Sequence, residues 1–128
     1  MPELRLRGGE VDGLALHYLV EGRGPAVVLV HGLGGFAASW RHNIPSLAAR
    51  ATVYAVDLPG FGRSGKPSAA YSIAYFARAL HAFLDAVGVT QVSIVGHSLG
   101  AAVAVTYALT RPARVERLAL LSGCVPGF

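Results

Sequence analysis

Apolar residues run along this chain in short blocks with two different periods. Residues 26–30 (Ala-Val-Val-Leu-Val) are continuously apolar, the mark of a strand buried on both faces. Residues 52–58, 92–95 and 117–121 read the same way, and 14–21 predict a further strand paired with one around 4–7. Between these blocks the period lengthens to that of a helix. Ile73, Phe76, Leu80, Phe83, Leu84 and Val87 form one apolar stripe over 73–87. Ser72 stands where a cap is needed and Gly88 where the helix must stop. Arg78, His81 and Asp85 share the opposite, polar face, which places His81 at the surface. Residues 99–110 predict a second apolar helix ended by Arg111-Pro112, and 39–50 a further one weakened by Pro45. Strands alternating with helices predict an α/β domain, a mostly parallel sheet of about six strands with helices on both faces.

Composition narrows the class. The 128 residues suffice for one domain, spanning 1–128, and 53% hydrophobic against 14% charged residues excludes a disordered chain. Cys124 is the only cysteine, so no internal disulfide can form, and a reducing, cytoplasmic setting is expected. The net charge of +4 does not make a nucleic-acid site: ten of the eleven basic residues are arginines scattered along the chain. The densest group, Arg111, Arg114 and Arg117, includes Glu116 and lacks an aromatic residue for base stacking. Residues 86–110 carry no formal charge, yet Gly88, Gln91, Gly96, His97, Ser98 and Gly100 interrupt them and the period changes midway. A buried strand, a tight turn and a buried helix account for this stretch better than a membrane span. Residues 1–10 lack the apolar core of a signal peptide.

The turn inside that stretch carries the chemistry. Gly96-His97-Ser98-Leu99-Gly100 fits G-x-S-x-G between a predicted strand and a predicted helix, the setting of a nucleophile elbow. Such a turn strains the serine backbone and lifts its Oγ above the sheet, and the helix N-terminus offers free N–H groups to a developing oxyanion. A second glycine cluster, His31-Gly32-Leu33-Gly34-Gly35, ends the strand 26–30. With residues 28–35, 57–64 (Asp-Leu-Pro-Gly-Phe-Gly-Arg-Ser) and 95–100 in this order, the sequence resembles the α/β-hydrolase superfamily from about Leu14 onward. Within it the sequence resembles the small, often cap-bearing hydrolases: esterases, lactonases, C–C bond hydrolases and cofactor-free haloperoxidases.

The resemblance implies Ser98 as nucleophile, with the backbone N–H groups of Leu33 and Leu99 as oxyanion hole. His31, Gly32, Gly34 and His97 would shape or line the pocket of a small-molecule substrate. Serine at position 98, where haloalkane dehalogenases carry aspartate, favours carbonyl chemistry. No cofactor is implied, and no pair of ligands has a recognised metal spacing. Gly60-Phe-Gly-Arg-Ser-Gly65 also matches G-x-G-x-x-G, but Pro59 and Pro67 flank it, and Asp85, 20 residues on, lies mid-helix. It reads as a loop shaped by Arg63 and Ser64 and braced by Asp57, rather than as a dinucleotide site. His17 and His42 stand in no motif.

In this superfamily the acid and then the histidine follow the nucleophile. After Ser98 the sequence has no histidine, and its one acid, Glu116, falls at the start of a strand, the end opposite the site. The superfamily domain has eight strands. The resemblance therefore implies that a cap, two strands and the remaining catalytic pair lie beyond these residues, and that 117–121 forms an apolar edge able to self-associate. A hydrolase of esters or related carbonyl compounds is the expected function. A catalytically silent binding domain, and an acyltransferase or haloperoxidase on the same scaffold, are the alternatives.

Overall fold

The computed structural model describes residues 2–68 and 71–121. Six strands form one sheet: β1 (Glu3–Arg5), β2 (Ala15–Glu21), β3 (Ala26–Val30), β4 (Thr52–Val56), β5 (Val92–His97) and β6 (Val115–Leu121). Their spatial order is β1-β2-β4-β3-β5-β6. β1 and β2 pair antiparallel, as do β2 and β4, whereas β3 is parallel to both β4 and β5, and β5 is parallel to β6. The carboxyl ends of β3 and β5 thus lie side by side, with Val30 opposite Gly96. In open α/β sheets this end of the strands is where ligands bind.

Alternation along the central strands divides the core in two. Val28 and Val30, Val56, and Val92 and Ile94 face α2 (Ile73–Ala86) and α3 (Leu99–Thr110), meeting Phe76, Leu80, Phe83, Leu84, Val103 and Tyr107. Leu29, Val53 and Ala55 point the other way, against Ala37, Trp40 and Ile44. Helices on both faces, as expected, bury β3 so completely that Val28, Leu29 and Val30 are each 0% exposed.

The α2 termini follow the sequence. The Ser72 hydroxyl accepts the Tyr75 N–H at 3.0 Å. At the other end Gly88 takes φ +77°, while the Val89 N–H reaches the Leu84 carbonyl and the Gly88 N–H the Asp85 carbonyl, a Schellman closure.

Two expectations are corrected. Residues 39–50 are not one helix: a 3-10 turn (Ala37–Trp40) is followed by a separate five-residue α1 (Ile44–Ala48). Pro45 lacks an N–H and fits only the first turn of a helix, so it starts a new one instead of continuing the old. His81 is not a free surface residue: its side chain is 18% exposed, 3.2 Å from the Asp85 carboxylate and against Tyr107. The α2–α3 packing covers it. Cys124 lies outside the described residues. Among the described residues no helix is long and apolar enough to cross a membrane.

Candidate active site

Ser98 occupies the one-residue turn between β5 and α3 with φ +55° and ψ −115°. Among the described residues it is the only non-glycine with positive φ, a conformation that costs on the order of 1–3 kcal/mol and persists only where the surroundings enforce it. Here they do. A Cβ on Gly96 would run into the backbone of Gly100, and one on Gly100 into the carbonyl of Val30. Only glycines let α3 fold back so closely over β3 and β5. The Ser98 carbonyl accepts the Ala101 N–H at 2.9 Å, opening the helix, and its N–H donates to the Leu121 carbonyl at 3.1 Å, tying the turn to β6. The Leu99 N–H, at the positive end of α3, has no acceptor among the described residues.

The loop after β3 faces this turn. Leu33 is 78% exposed, and its N–H also has no acceptor among the described residues. Its orientation follows from the preceding peptide. The Gly32 carbonyl accepts from His31 Nδ1 at 2.8 Å and from the Gly35 N–H at 2.9 Å. In a trans peptide the N–H points opposite to the C=O, so two donors on the Gly32 oxygen also aim the Leu33 N–H. His31 Nε2 accepts the Leu58 N–H at 3.0 Å, which places the proton on Nδ1. The imidazole is 1% exposed, and burial holds its pKa below the ordinary histidine value against smaller opposing effects from the Gly32 bond and Asp57. The neutral form is the one this geometry requires. His31 was expected to shape or line a substrate pocket; with both ring nitrogens engaged by backbone groups it holds the loop, and it also lines one of the openings beside Ser98.

Asp57 secures the same loop from beneath. Its buried carboxylate accepts the Ala37 N–H, the Arg63 N–H at 2.9 Å and His17 Nδ1 at 2.6 Å. The carboxylate fills the space a Cβ on Gly62 would need, and Gly62 sits at φ +52°. The Ser64 hydroxyl donates to the Asp57 carbonyl at 2.6 Å and accepts the His17 N–H at 2.9 Å. The glycine lookalike at 60–65 is thus a loop built around a carboxylate, as the sequence indicated. The part of His17 was not foreseen: it lies 40 positions from Asp57, and only the β2–β4 pairing brings the two together.

Two openings flank the turn. One, of about 400 Å³, is lined by His31, Gly32, Leu33, Gly34, His97 and Ser98 together with Ser39, Trp40 and Asn43. The other, of about 380 Å³, is lined by Leu33, Gly60, Phe61, Tyr71, Phe76 and Leu99. The structure therefore gathers every expected site residue around Ser98, dividing them between two pockets that share Leu33. Sequence reasoning missed Ser39, Trp40, Asn43 and the three aromatic residues of the second opening. Only the position of Phe61 in a loop at a strand's carboxyl end signalled a place near the site. Among the described residues no cluster of three His, Cys, Asp or Glu side chains is arranged to hold a metal ion.

A strained serine between a parallel strand and a helix, facing a glycine loop on the neighbouring strand, defines a protein of the nucleophile-elbow α/β class. The chain belongs to the α/β-hydrolase family, whose family model, described as alpha/beta hydrolase fold, matches residues 25–127. It is 41% identical over 121 residues to an uncharacterized protein of Mycobacterium tuberculosis, covering 94% of this chain and 35% of that one. It is 38% identical over 130 residues to 2-hydroxy-6-oxononadienedioate/2-hydroxy-6-oxononatrienedioate hydrolase 1 of Dechloromonas aromatica, covering 97% and 45%. The crystal structure of a bacterial membrane phospholipase A superposes with a TM-score of 0.91 at 33% identity, covering 96% of this chain and 39% of the other. The chain spans less than half the length of these proteins.

Proposed function

We propose that Ser98 is the nucleophile of a hydrolase acting on carboxylic esters or related carbonyl compounds through an acyl-enzyme. The observation that carries this reading is the strained backbone of Ser98 near two N–H groups, those of Leu33 and Leu99, that have no acceptor among the described residues. Oγ attacks the carbonyl carbon, and the carbonyl oxygen takes the negative charge between the two N–H donors. Collapse breaks the ester C–O bond, and the alcohol leaves with a proton. Water then cleaves the acyl-enzyme, regenerating the hydroxyl and releasing the carboxylate. Each oxyanion donor contributes about 2.7–4 kcal/mol to such a transition state.

The proton on Oγ needs a base. No histidine follows Ser98, and Glu116 lies exposed at the start of β6, away from the carboxyl ends of the strands. The base is therefore to be sought outside residues 99–128. Hydrolysis of p-nitrophenyl acetate by the protein and by Ser98→Ala tests the reading. Turnover should fall by several orders of magnitude in the variant; turnover that survives unchanged would remove Ser98 from the reaction. The same acyl-enzyme offered an alcohol in place of water would separate a hydrolase from an acyltransferase by its products.

A further inference from the structure

The second pocket shows what the site is shaped to hold. Its walls are Leu33, Phe61, Tyr71, Phe76 and Leu99, with Gly60 as the only residue without a side chain. The rings form a connected set: Tyr71 stacks on Phe76 with centroids 5.9 Å apart and planes at 22°, and Phe61 meets Phe76 at 6.1 Å. Phe61 also meets the His31 imidazole edge-on at 5.2 Å, which links this wall to the ring that orients the Leu33 peptide. Gly60 lets Tyr71 close the wall: a Cβ there would lie 2.9 Å from the Tyr71 ring. The Tyr71 hydroxyl donates to the Pro67 carbonyl, which satisfies its polar end, and Tyr71 lines the pocket. Leu33 and Leu99 line this pocket, and their N–H groups, which have no acceptor among the described residues, are the donors proposed above for the oxyanion. A carbonyl group held by those donors therefore has the aromatic walls next to one of its substituents. On the other side it meets the more polar opening with Ser39, Asn43 and His97.

We infer that this pocket binds the aryl ring of a carbonyl substrate, a single ring joined to the carbonyl by a short link. An apolar cavity of about 150 Å³ is enough to hold benzene, and this one, at about 380 Å³, has room for a ring and its link. Rings already meet at 5.9 and 6.1 Å along the wall, so an aromatic guest gains about 0.5–1.5 kcal/mol over its buried area that a saturated ring does not. That difference corresponds to about two- to tenfold in affinity. The inference about the substrate rests on Ser98 being the nucleophile; the preference of the pocket for an aryl group can be measured without it.

Phenylacetamide and cyclohexylacetamide, titrated separately into ¹⁵N-labelled protein and followed by amide chemical shifts, give that measurement. Phenylacetamide should saturate with shifts clustered at Leu33, Phe61, Tyr71 and Leu99, and should bind about two- to tenfold tighter than its cyclohexyl counterpart. Tyr71→Ala, at a residue 43% exposed and so tolerant of truncation, should abolish the preference, and Phe61→Ala should weaken it. Equal or tighter binding of the cyclohexyl compound, shifts elsewhere, no saturable binding, or an undiminished preference in Tyr71→Ala would each overturn the inference. Fluorophosphonate labelling of Ser98 in the same protein decides the catalytic reading separately. A labelled serine without aryl preference defeats the pocket inference alone. Aryl preference beside an inert serine upholds the pocket and defeats the catalytic reading.

Discussion

The Leu33 N–H is aimed by a side chain two residues earlier in the chain. His31 donates from Nδ1 to the Gly32 carbonyl and accepts the Leu58 N–H at Nε2, and the two bonds do different work. His31→Asn keeps an amide donor near the Nδ1 position but strands the buried Leu58 N–H, which costs about 1–3 kcal/mol. His31→Gln can reach Leu58 but leaves the Gly32 carbonyl with one donor fewer. Asn should therefore lower the melting temperature while Ser98 reactivity stays within a few-fold of the original. Gln should cut that reactivity about tenfold or more at smaller loss of stability. Variants that lose stability and reactivity in parallel would show that His31 only fills space. The same geometry sets a pH dependence. Burial lowers the pKa of folded His31 below that of the unfolded chain, so its contribution to stability is complete above an unfolded value of about 6.5 and is lost as pH falls through the folded value. His81, lowered by burial against the opposing pull of Asp85, acts in the same direction. Chemical denaturation between about pH 7.5 and 5 should show stability falling with acidity, and His31→Asn should remove part of that slope.

Elements with periodic or end-marking signals were legible; those made by long-range pairing were not. The six apolar stripe positions of α2, its Ser72 cap and its Gly88 stop all stand in the sequence, and the helix Ile73–Ala86 ends within one residue of expectation. Ser72→Ala removes the acceptor for the Tyr75 N–H and should cost about 1 kcal/mol of unfolding free energy, with Ser72→Gly costing less. An equal or greater stability for the alanine variant would contradict the cap. The elbow was legible for the same reason, since glycines at 96 and 100 record two close approaches that no side chain could survive. The segment 39–50 was misread because its apolar spacing hides a break at Asn43–Ile44, where Pro45 begins a new helix. The part of His17 in the clamp with Ser64 and Asp57 left no local mark, because β2 and β4 must pair before it meets them. Nor did Phe61, Tyr71 and Phe76 announce a pocket, since their spacing also suits ordinary core.

At the scale of the molecule, β6 is both support and, among the described residues, the outer strand of the sheet. Its Leu121 carbonyl holds the Ser98 N–H, yet Leu118 and Leu120 are each 38% exposed and Leu121 is 45% exposed. An edge strand with apolar side chains can pair with another chain. The 128-residue chain is expected to show a molecular mass that rises with concentration in sedimentation equilibrium, and Leu120→Lys should shift it toward the monomer. A single monomeric mass over the whole concentration range would contradict this. The strands, both core layers and the loop clamps converge on one point, the strained Ser98, which we propose as the nucleophile. Intact-mass measurement after exposure to a fluorophosphonate tests that point most directly. In this reaction Oγ bonds to phosphorus, and fluoride and a proton leave. The account predicts a single adduct at Ser98, absent from Ser98→Ala and slowed when the protein is unfolded, because the oxyanion donors exist only in the fold. A folded protein that takes up no adduct, or one that labels equally in Ser98→Ala, would contradict it.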